Sequence, residues 1–103
     1  MSYKLVYAAS FHDSLEKLVK QWADYGIPPA KIKRYVHTIF GAVSTLKTFP
    51  NRYQDVSELY HLQIPTRRIL IGKKYAIFYR VFPDQETIRV GKIFCLKQDE
   101  MTF

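Results

Sequence analysis

Six basic side chains are concentrated in the second half of the sequence, where cations alternate with apolar residues. They are Arg67, Arg68, Lys73, Lys74, Arg80 and Lys92. Guanidinium and ammonium groups bind phosphate and carboxylate oxygens. The spacing therefore indicates a surface for an anionic partner, either a nucleic acid or an acidic protein. A solvated basic surface with no partner is the alternative that charge alone leaves open.

Proton transfer near these cations would require a side chain that can act as a base. If the anionic partner were an RNA, its cleavage without a metal would need a group that activates the 2′-hydroxyl, an acid for the leaving oxygen and cations for the phosphate. His61 is the histidine nearest to the basic stretch and is the candidate base, with Arg67 and Arg80 as the candidate catalytic cations and Tyr60 as a possible substitute. The other interpretation of His61 is a loop histidine with no chemical role.

No sequence pattern indicates a metal or a cofactor. The chain has a single cysteine, Cys95, which excludes an internal disulfide and a cysteine cluster. No His, Cys, Asp or Glu spacing is typical of a metal site or an activated nucleophile. We therefore expect Cys95 to pack as a small hydrophobic residue, and we predict no metal and no cofactor.

The composition predicts one folded domain over residues 1–103. A length of 103 residues suits a single core, and 48% hydrophobic with 16% aromatic residues argues against disorder. No apolar run approaches the ~18–20 residues that cross a bilayer, so we expect a cytoplasmic protein with no membrane partner. The formal charge of +7 is concentrated between residues 61 and 97, where eight Lys and Arg face two acids.

The elements that position the basic stretch follow from hydrophobic periodicity. A short strand is predicted at Tyr3 to Ala8, and later strands at residues 66–71, 75–82 and 87–95. Two apolar stripes with helical spacing lie between them. The first is Phe11, Leu15, Leu18, Val19 and Trp22, and the second is Ile32, Tyr35, Val36, Ile39, Phe40, Val43 and Leu46. Gly26 with Pro28 and Pro29 separates the stripes, which predicts an antiparallel helical hairpin.

The predicted architecture is α+β in the order β-α-α-β-β-β, with the helical hairpin packed on one face of the sheet. Strand alternation is expected to place Arg67, Ile69 and Ile71 on a face shared with Ala76, Phe78, Arg80 and Phe82. That face would lie opposite the helices, where an amphipathic segment with acidic flanks could cover it. Burial of the same groups within the monomer is the alternative. Tyr75 and Tyr79 are expected to point into the core.

The order of elements and two later stretches resemble the RelE/ParE superfamily of type II toxin–antitoxin toxins. The similarity covers roughly residues 2–98. Its features are the first strand, the helical hairpin, the exit at Phe49-Pro50, the stretch from Arg68 to Val81 and the stretch from Thr87 to Ile93. The resemblance implies a twisted antiparallel sheet with a helical hairpin on one face. It also implies a cognate antitoxin, usually acidic, that wraps and neutralises the toxin.

The resemblance implies two kinds of target. RelE-like members cut mRNA on the ribosome, whereas ParE-like members inhibit DNA gyrase without catalysis. Aligned on Tyr75, positions that carry cations in the nuclease branch fall on Ile69, Ala76 and Ile93, while Arg67 keeps its cation. We therefore favour gyrase inhibition and keep a metal-independent mRNA endonuclease as the alternative. A basic nucleic-acid-binding module without toxicity is the third hypothesis.

Overall fold

A computed structural model describes residues 2–96 of the chain, and the element order is β-α-α-β-β-β, as predicted. The elements are β1 (Lys4–Tyr7), α1 (Ala9–Asp24), α2 (Pro29–Ser44), β2 (Arg67–Ile71), β3 (Tyr75–Phe82) and β4 (Thr87–Cys95). Single 3₁₀ turns at Thr45–Lys47 and Pro83–Gln85 follow α2 and β3. Gly26 has a φ of 83° and follows the end of α1, where the left-handed conformation that suits glycine breaks the helix.

The four strands form one open sheet in the order β1-β4-β3-β2. The pairs β2–β3 and β3–β4 are antiparallel, as expected from their short connections. However, β1 pairs in parallel with β4, so the sheet is mixed and the expectation of a wholly antiparallel sheet is wrong at this edge. A parallel pair needs a long crossover, and everything from α1 to β3 lies between these two strands.

The helices pack on one face of the sheet, which we call the inner face. The core there combines apolar residues of both helices with those of three strands. It comprises Phe11, Leu18, Trp22, Ile39, Val43, Leu46, Ile69, Ile77, Tyr79, Ile88, Val90 and Ile93. Both predicted helical stripes contribute, with α1 lying against β4 and α2 against β2. The α+β fold with its hairpin on one face is therefore confirmed.

A β-bulge in β4 interrupts the pairing with β3. Ile77 pairs with Ile93 and Tyr79 with Val90, so two residues of β4 lie opposite one residue of β3. The buried Ser14 hydroxyl of α1 closes this irregularity, because it accepts the Ile93 N–H at 3.0 Å and donates to the Phe11 carbonyl at 3.0 Å. The Ser14 side chain thus provides a hydrogen-bond acceptor for the backbone N–H of Ile93 at the bulge.

The opposite face, which we call the outer face, carries a smaller apolar cluster. Val56, Phe78 and Phe94 are buried there, and Tyr60 and Leu62 pack against them. The segment between the 3₁₀ turn after α2 and strand β2, residues 48–66, lies over this apolar cluster, and we call it the covering segment. It also runs beside the edge of β2. The Val56 N–H donates to the Thr66 carbonyl at 2.7 Å, and the Arg68 N–H donates to the Gln54 carbonyl at 3.3 Å. Across residues 2–96, no helix has the length and apolar character needed to cross a membrane.

Candidate functional site

The outer face carries a group of cations that we call the outer-face basic cluster. Its members are Arg68 on β2, Arg80 on β3, and Arg89 and Lys92 on β4. Arg68 pairs with Phe78, and Arg80 pairs with Arg89, so strand register places these side chains on the same face. The cluster therefore spans three adjacent strands.

Arg68 is held in place by an aromatic side chain of the covering segment. Its guanidinium donates a hydrogen bond to the Tyr60 hydroxyl and lies 5.6 Å from the centre of the Tyr60 ring. The Tyr60 ring in turn packs on Phe78, with ring centres 5.3 Å apart. These contacts hold the Arg68 guanidinium over the buried rings of Phe78 and Phe94, which we call the aromatic floor of the outer face.

Arg80, on the neighbouring strand β3, is held by a hydrogen bond to Thr66. Its Nε donates to the Thr66 hydroxyl at 3.0 Å, and that fully buried hydroxyl donates to the Ile64 carbonyl at 2.8 Å. Partial burial lowers the pKa of Arg80, and the like charge of Arg89 lowers it further. Like charges on directly paired strand residues repel, so an anion bound between them would relieve an unfavourable interaction.

Lys92 extends the cluster along the bulged strand. Its ammonium lies 5.2 Å from the centre of the Phe94 ring, and Phe94 packs on Phe78 with ring centres 5.0 Å apart. The surface therefore combines cations with an aromatic floor. Such a surface can bind a phosphate-bearing chain or an acidic protein segment, because both offer anions at its edges.

Arg67 does not belong to this surface, contrary to the predicted grouping. It pairs with Tyr79 of the inner face, together with Ile69 and Ile71, whereas Ala76, Phe78 and Arg80 lie on the outer face. The assignment of both sets to one face was wrong, because the register across the hairpin is fixed by its turn. Arg67 instead donates to the Asn51 carbonyl at 3.3 Å and to the Tyr53 carbonyl, which tethers the segment after α2.

The remaining predicted site residues lie on loops and not on the strands that carry the cluster. His61 is exposed in the covering segment, with a backbone φ of 57°. Lys73 and Lys74 are exposed in the β2–β3 turn, which begins at Gly72 with a φ of 60°. The structure thus brings together Arg68, Arg80 and Lys92 of the predicted set, and separates them from Arg67 and from the two turn lysines.

Two contributors to the site are missing from the sequence-based prediction. Arg89 is one cation among many in the sequence, and only its pairing with Arg80 shows that it belongs to the cluster. Thr66 was predicted only as the first residue of the strand at 66–71, yet it lies just before β2 and its hydroxyl orients Arg80. Alternation in β4 could have suggested Arg89, but the bulge breaks that alternation. Among residues 2–96, no three His, Cys, Asp or Glu side chains converge as metal ligands would.

The sheet order, the helical hairpin and the basic outer face together define a RelE/ParE-like toxin fold. The family model described as ParE toxin of type II toxin-antitoxin system, parDE, matches residues 5–100. The chain therefore belongs to the ParE toxin family of type II toxin–antitoxin systems. A comparison with curated protein sequences gives no match.

Three solved structures share this fold at low sequence identity. The toxin–antitoxin complex RelBE2 from Mycobacterium tuberculosis has a TM-score of 0.59 and 18% identity, covering 92% of this chain and 99% of that one. A metal-bound toxin from Helicobacter pylori has a TM-score of 0.60 and 14% identity, covering 93% and 97%. The archaeal RelE–RelB complex from Pyrococcus horikoshii has a TM-score of 0.54 and 15% identity, covering 96% and 100%. At these identities the likeness concerns the fold.

Proposed function

We propose that this toxin arrests growth by binding and inhibiting DNA gyrase in the cytoplasm, without catalysing a reaction. The observation that carries the proposal is the chemistry of the outer-face basic cluster. Arg68 and Arg80 are held by Tyr60 and Thr66 over an aromatic floor, which is the arrangement of a preorganised binding surface.

The same cluster is poorly suited to acid–base chemistry. A general acid or base must exchange a proton near the operating pH, whereas arginine keeps its charge in proteins. Of the three residues considered for catalysis, Arg67 lies on the inner face and His61 lies in the exposed covering segment. Only Arg80 is part of the cluster. This separation supports binding over catalysis.

A metal-independent mRNA endonuclease is the second candidate, and one contact favours it. The Tyr60 hydroxyl accepts a hydrogen bond from Arg68, so a group able to exchange a proton lies beside a cation. Arg80, Arg89 and Lys92 could hold the phosphates of an RNA strand on the same face. In this case Tyr60, with Arg68 and Arg80, would take the roles first considered for His61 and Arg67.

We also propose a cognate antitoxin of acidic character as the partner that holds the toxin inactive. Two of the structurally similar proteins were solved as toxin–antitoxin complexes. The formal charge of +7 here favours an acidic partner by long-range attraction.

Induced expression with separate measurements of DNA supercoiling and mRNA integrity tests the target. We expect loss of supercoiling activity with intact mRNA. The triple substitution Arg68→Ala, Arg80→Ala and Arg89→Ala should abolish growth arrest and weaken binding to purified gyrase by about a hundredfold or more. The matched control replaces the exposed cations Lys4, Lys31 and Lys33 with Ala, and it should remain toxic.

Three results would count against this proposal. Rapid mRNA cleavage with supercoiling unaffected would replace gyrase inhibition with RNA cleavage, and a Tyr60→Phe variant would then test the proton-exchanging group. Full toxicity in a folded triple variant would show that the target binds elsewhere. No growth arrest on expression of the unmodified chain would leave the non-toxic nucleic-acid-binding module as the better hypothesis.

A further inference from the structure

A second concave surface lies away from the outer-face basic cluster, where the turn of the helical hairpin approaches the β2–β3 turn. This cavity, which we call the hairpin-tip pocket, has a volume of about 460 Å³. Aromatic side chains provide much of its wall: Trp22, Tyr25, Tyr35 and Tyr75. Lys73 and Lys74 lie at its rim.

Contacts among three elements form the floor of the hairpin-tip pocket. Trp22 is only 5% exposed, and its Nε1 donates to the Tyr75 hydroxyl at 3.2 Å. The Tyr35 ring packs edge-on against Trp22, with ring centres 5.2 Å apart. These contacts join α1, α2 and β3 and fix the shape of the cavity before anything binds. Binding partners commonly insert a large apolar or aromatic side chain into a preformed apolar pocket of this kind.

The rim of the pocket provides both an exposed aromatic surface and positive charge. Tyr25 is 72% exposed at the end of α1, although aromatic side chains are normally among the more buried. Lys73 and Lys74 are exposed in the β2–β3 turn. None of the residues that line the pocket is acidic, and all of them lie within the described part of the chain. Among the described residues, the lining of the pocket therefore offers positive charge and no carboxylate.

We propose that the hairpin-tip pocket is an anchor site for the acidic antitoxin, which inserts one large apolar side chain between flanking carboxylates. The apolar side chain would fill the aromatic cavity, and the carboxylates would pair with Lys73 and Lys74. A single-stranded nucleic acid fits less well, because Trp22 is only 5% exposed and leaves little ring area on which a base could stack. The identity of this occupant as the antitoxin rests on the proposed toxin function.

The proposal separates two functions on one small protein. The hairpin-tip pocket is built by the helical hairpin and the β2–β3 turn, whereas the target surface is formed by the outer-face basic cluster. Lys73 and Lys74 belong to the pocket rim and not to that cluster. Substitutions at the pocket should therefore reduce neutralisation while leaving growth arrest intact.

Trp22 provides a direct readout, because it is the only tryptophan in the chain and lines the pocket. The probe is a five-residue peptide, capped at both ends, with one phenylalanine between two aspartates on each side. Titration should change Trp22 fluorescence with saturation below about 1 mM. The same peptide with a central alanine, the same peptide with lysines in place of aspartates, and a five-nucleotide oligothymidylate should each bind at least about tenfold more weakly.

Two variants test which side chains carry the binding. Charge reversal by Lys73→Glu with Lys74→Glu should weaken binding of the phenylalanine peptide by about tenfold or more, because two exposed charge pairs become repulsive. Tyr25→Ala should weaken binding of the same peptide by about fivefold or more, because part of the apolar wall is lost. The matched control, Lys4→Glu with Lys47→Glu, removes the same net charge from exposed positions outside the pocket and should change affinity by less than about twofold.

Neutralisation in cells connects the pocket to the antitoxin. The cognate antitoxin, to be sought among small acidic reading frames adjacent to the toxin gene, is co-expressed with the toxin. The Lys73→Glu, Lys74→Glu variant should still arrest growth and should resist neutralisation, whereas the control variant should be neutralised like the unmodified toxin. Equal neutralisation of both variants would overturn the anchor-site proposal.

The remaining outcomes separate this inference from the proposed toxin function. No fluorescence change with the phenylalanine peptide would overturn the anchor site even if the chain is toxic. Tighter binding of the oligothymidylate would reassign the pocket to nucleic acid. Peptide binding by a chain that causes no growth arrest would overturn the toxin function and, with it, the identification of the occupant as an antitoxin.

Discussion

The two faces of the sheet differ in how they use the same kinds of residues. The inner face buries its aromatic and aliphatic side chains against two helices, and its one arginine, Arg67, serves to tether a loop. The outer face has a much smaller apolar cluster under a loop, and its arginines, Arg68, Arg80 and Arg89, face outward from three strands. One face therefore provides stability, while the other presents charge at the surface, which we propose as the target-binding face.

This difference shows why neighbouring residues in a strand should not be treated as one functional group. Arg67 and Arg68 are adjacent in sequence and identical in type, yet strand alternation directs them to opposite faces. Arg67 donates to backbone carbonyls, and Arg68 donates to a tyrosine hydroxyl beside other cations. Substitution of Arg67 should therefore mainly change stability, whereas substitution of Arg68 should mainly change binding.

The largest expected effect is on the inner face, at Phe11. This side chain is fully buried and packs against Tyr7 with ring centres 4.8 Å apart. Phe11→Ala should lower the free energy of unfolding by about 3–5 kcal/mol, because it leaves a cavity in the main core. Urea denaturation followed by far-UV circular dichroism measures this change.

The control for this prediction is Phe49→Ala, because Phe49 is 62% exposed. Removal of that ring should change stability by less than about 0.5 kcal/mol. The triple arginine substitution on the outer face should likewise leave the protein folded. A loss of several kcal/mol in the outer-face variant would break the contrast, because the outer cations would then be structural.

Parts of this fold are predictable from sequence because they depend on local periodicity. The offsets between Ile32 and Leu46 predict a helix with one apolar side, and α2 covers Pro29–Ser44 before a 3₁₀ turn. The predicted strands at 75–82 and 87–95 match β3 and β4 at both ends. In each case neighbouring residues alone carry the signal.

The remaining features depend on which residues meet across the sheet. Alternation assigns Arg67 and Arg68 to opposite faces of β2, but only the pairing of Ile71 with Tyr75 across the turn shows which of them shares a face with Arg80. The parallel pairing of β1 with β4 is a long-range contact with no local signature. Tyr60 meets Arg68 through a loop without periodicity, so its role was not accessible from spacing.

The middle-sized effect contrasts the two neighbouring arginines directly. Arg67→Ala removes a donor shared by the Asn51 and Tyr53 carbonyls and should lower stability by about 1–3 kcal/mol. Arg68→Ala should change stability by less than about 1 kcal/mol and should weaken growth arrest. Urea denaturation and growth after induction, measured on both variants, test the pair.

The opposite pattern would contradict the assignment of the two arginines. If Arg67→Ala abolished toxicity at unchanged stability, then Arg67 would belong to the target surface despite its place on the inner face. If Arg68→Ala destabilised the protein as much as Arg67→Ala, the contact with Tyr60 would be structural. Arg52→Ala provides a control, because Arg52 is exposed and lies in the tethered segment.

The smallest effect concerns an ionisable group on the inner face, Tyr79. Burial raises its pKa to about 12, and its hydroxyl donates to the Pro50 carbonyl at 2.8 Å. An unfolded tyrosine has a pKa of about 10, so between these values the folded chain holds a proton that the unfolded chain releases. Stability from this group is therefore complete below about pH 10 and is lost as the pH rises towards about 12.

Tyr79→Phe isolates this contribution, because it keeps the buried ring and removes the titrating hydroxyl. At neutral pH the variant should lose about 1 kcal/mol, the value of one hydrogen bond. Between about pH 9 and about pH 11 its stability should fall less steeply than that of the unmodified chain, as measured by urea denaturation. Equal slopes for Tyr79→Phe and the unmodified chain would mean that the inner face does not hold this phenol in its neutral form.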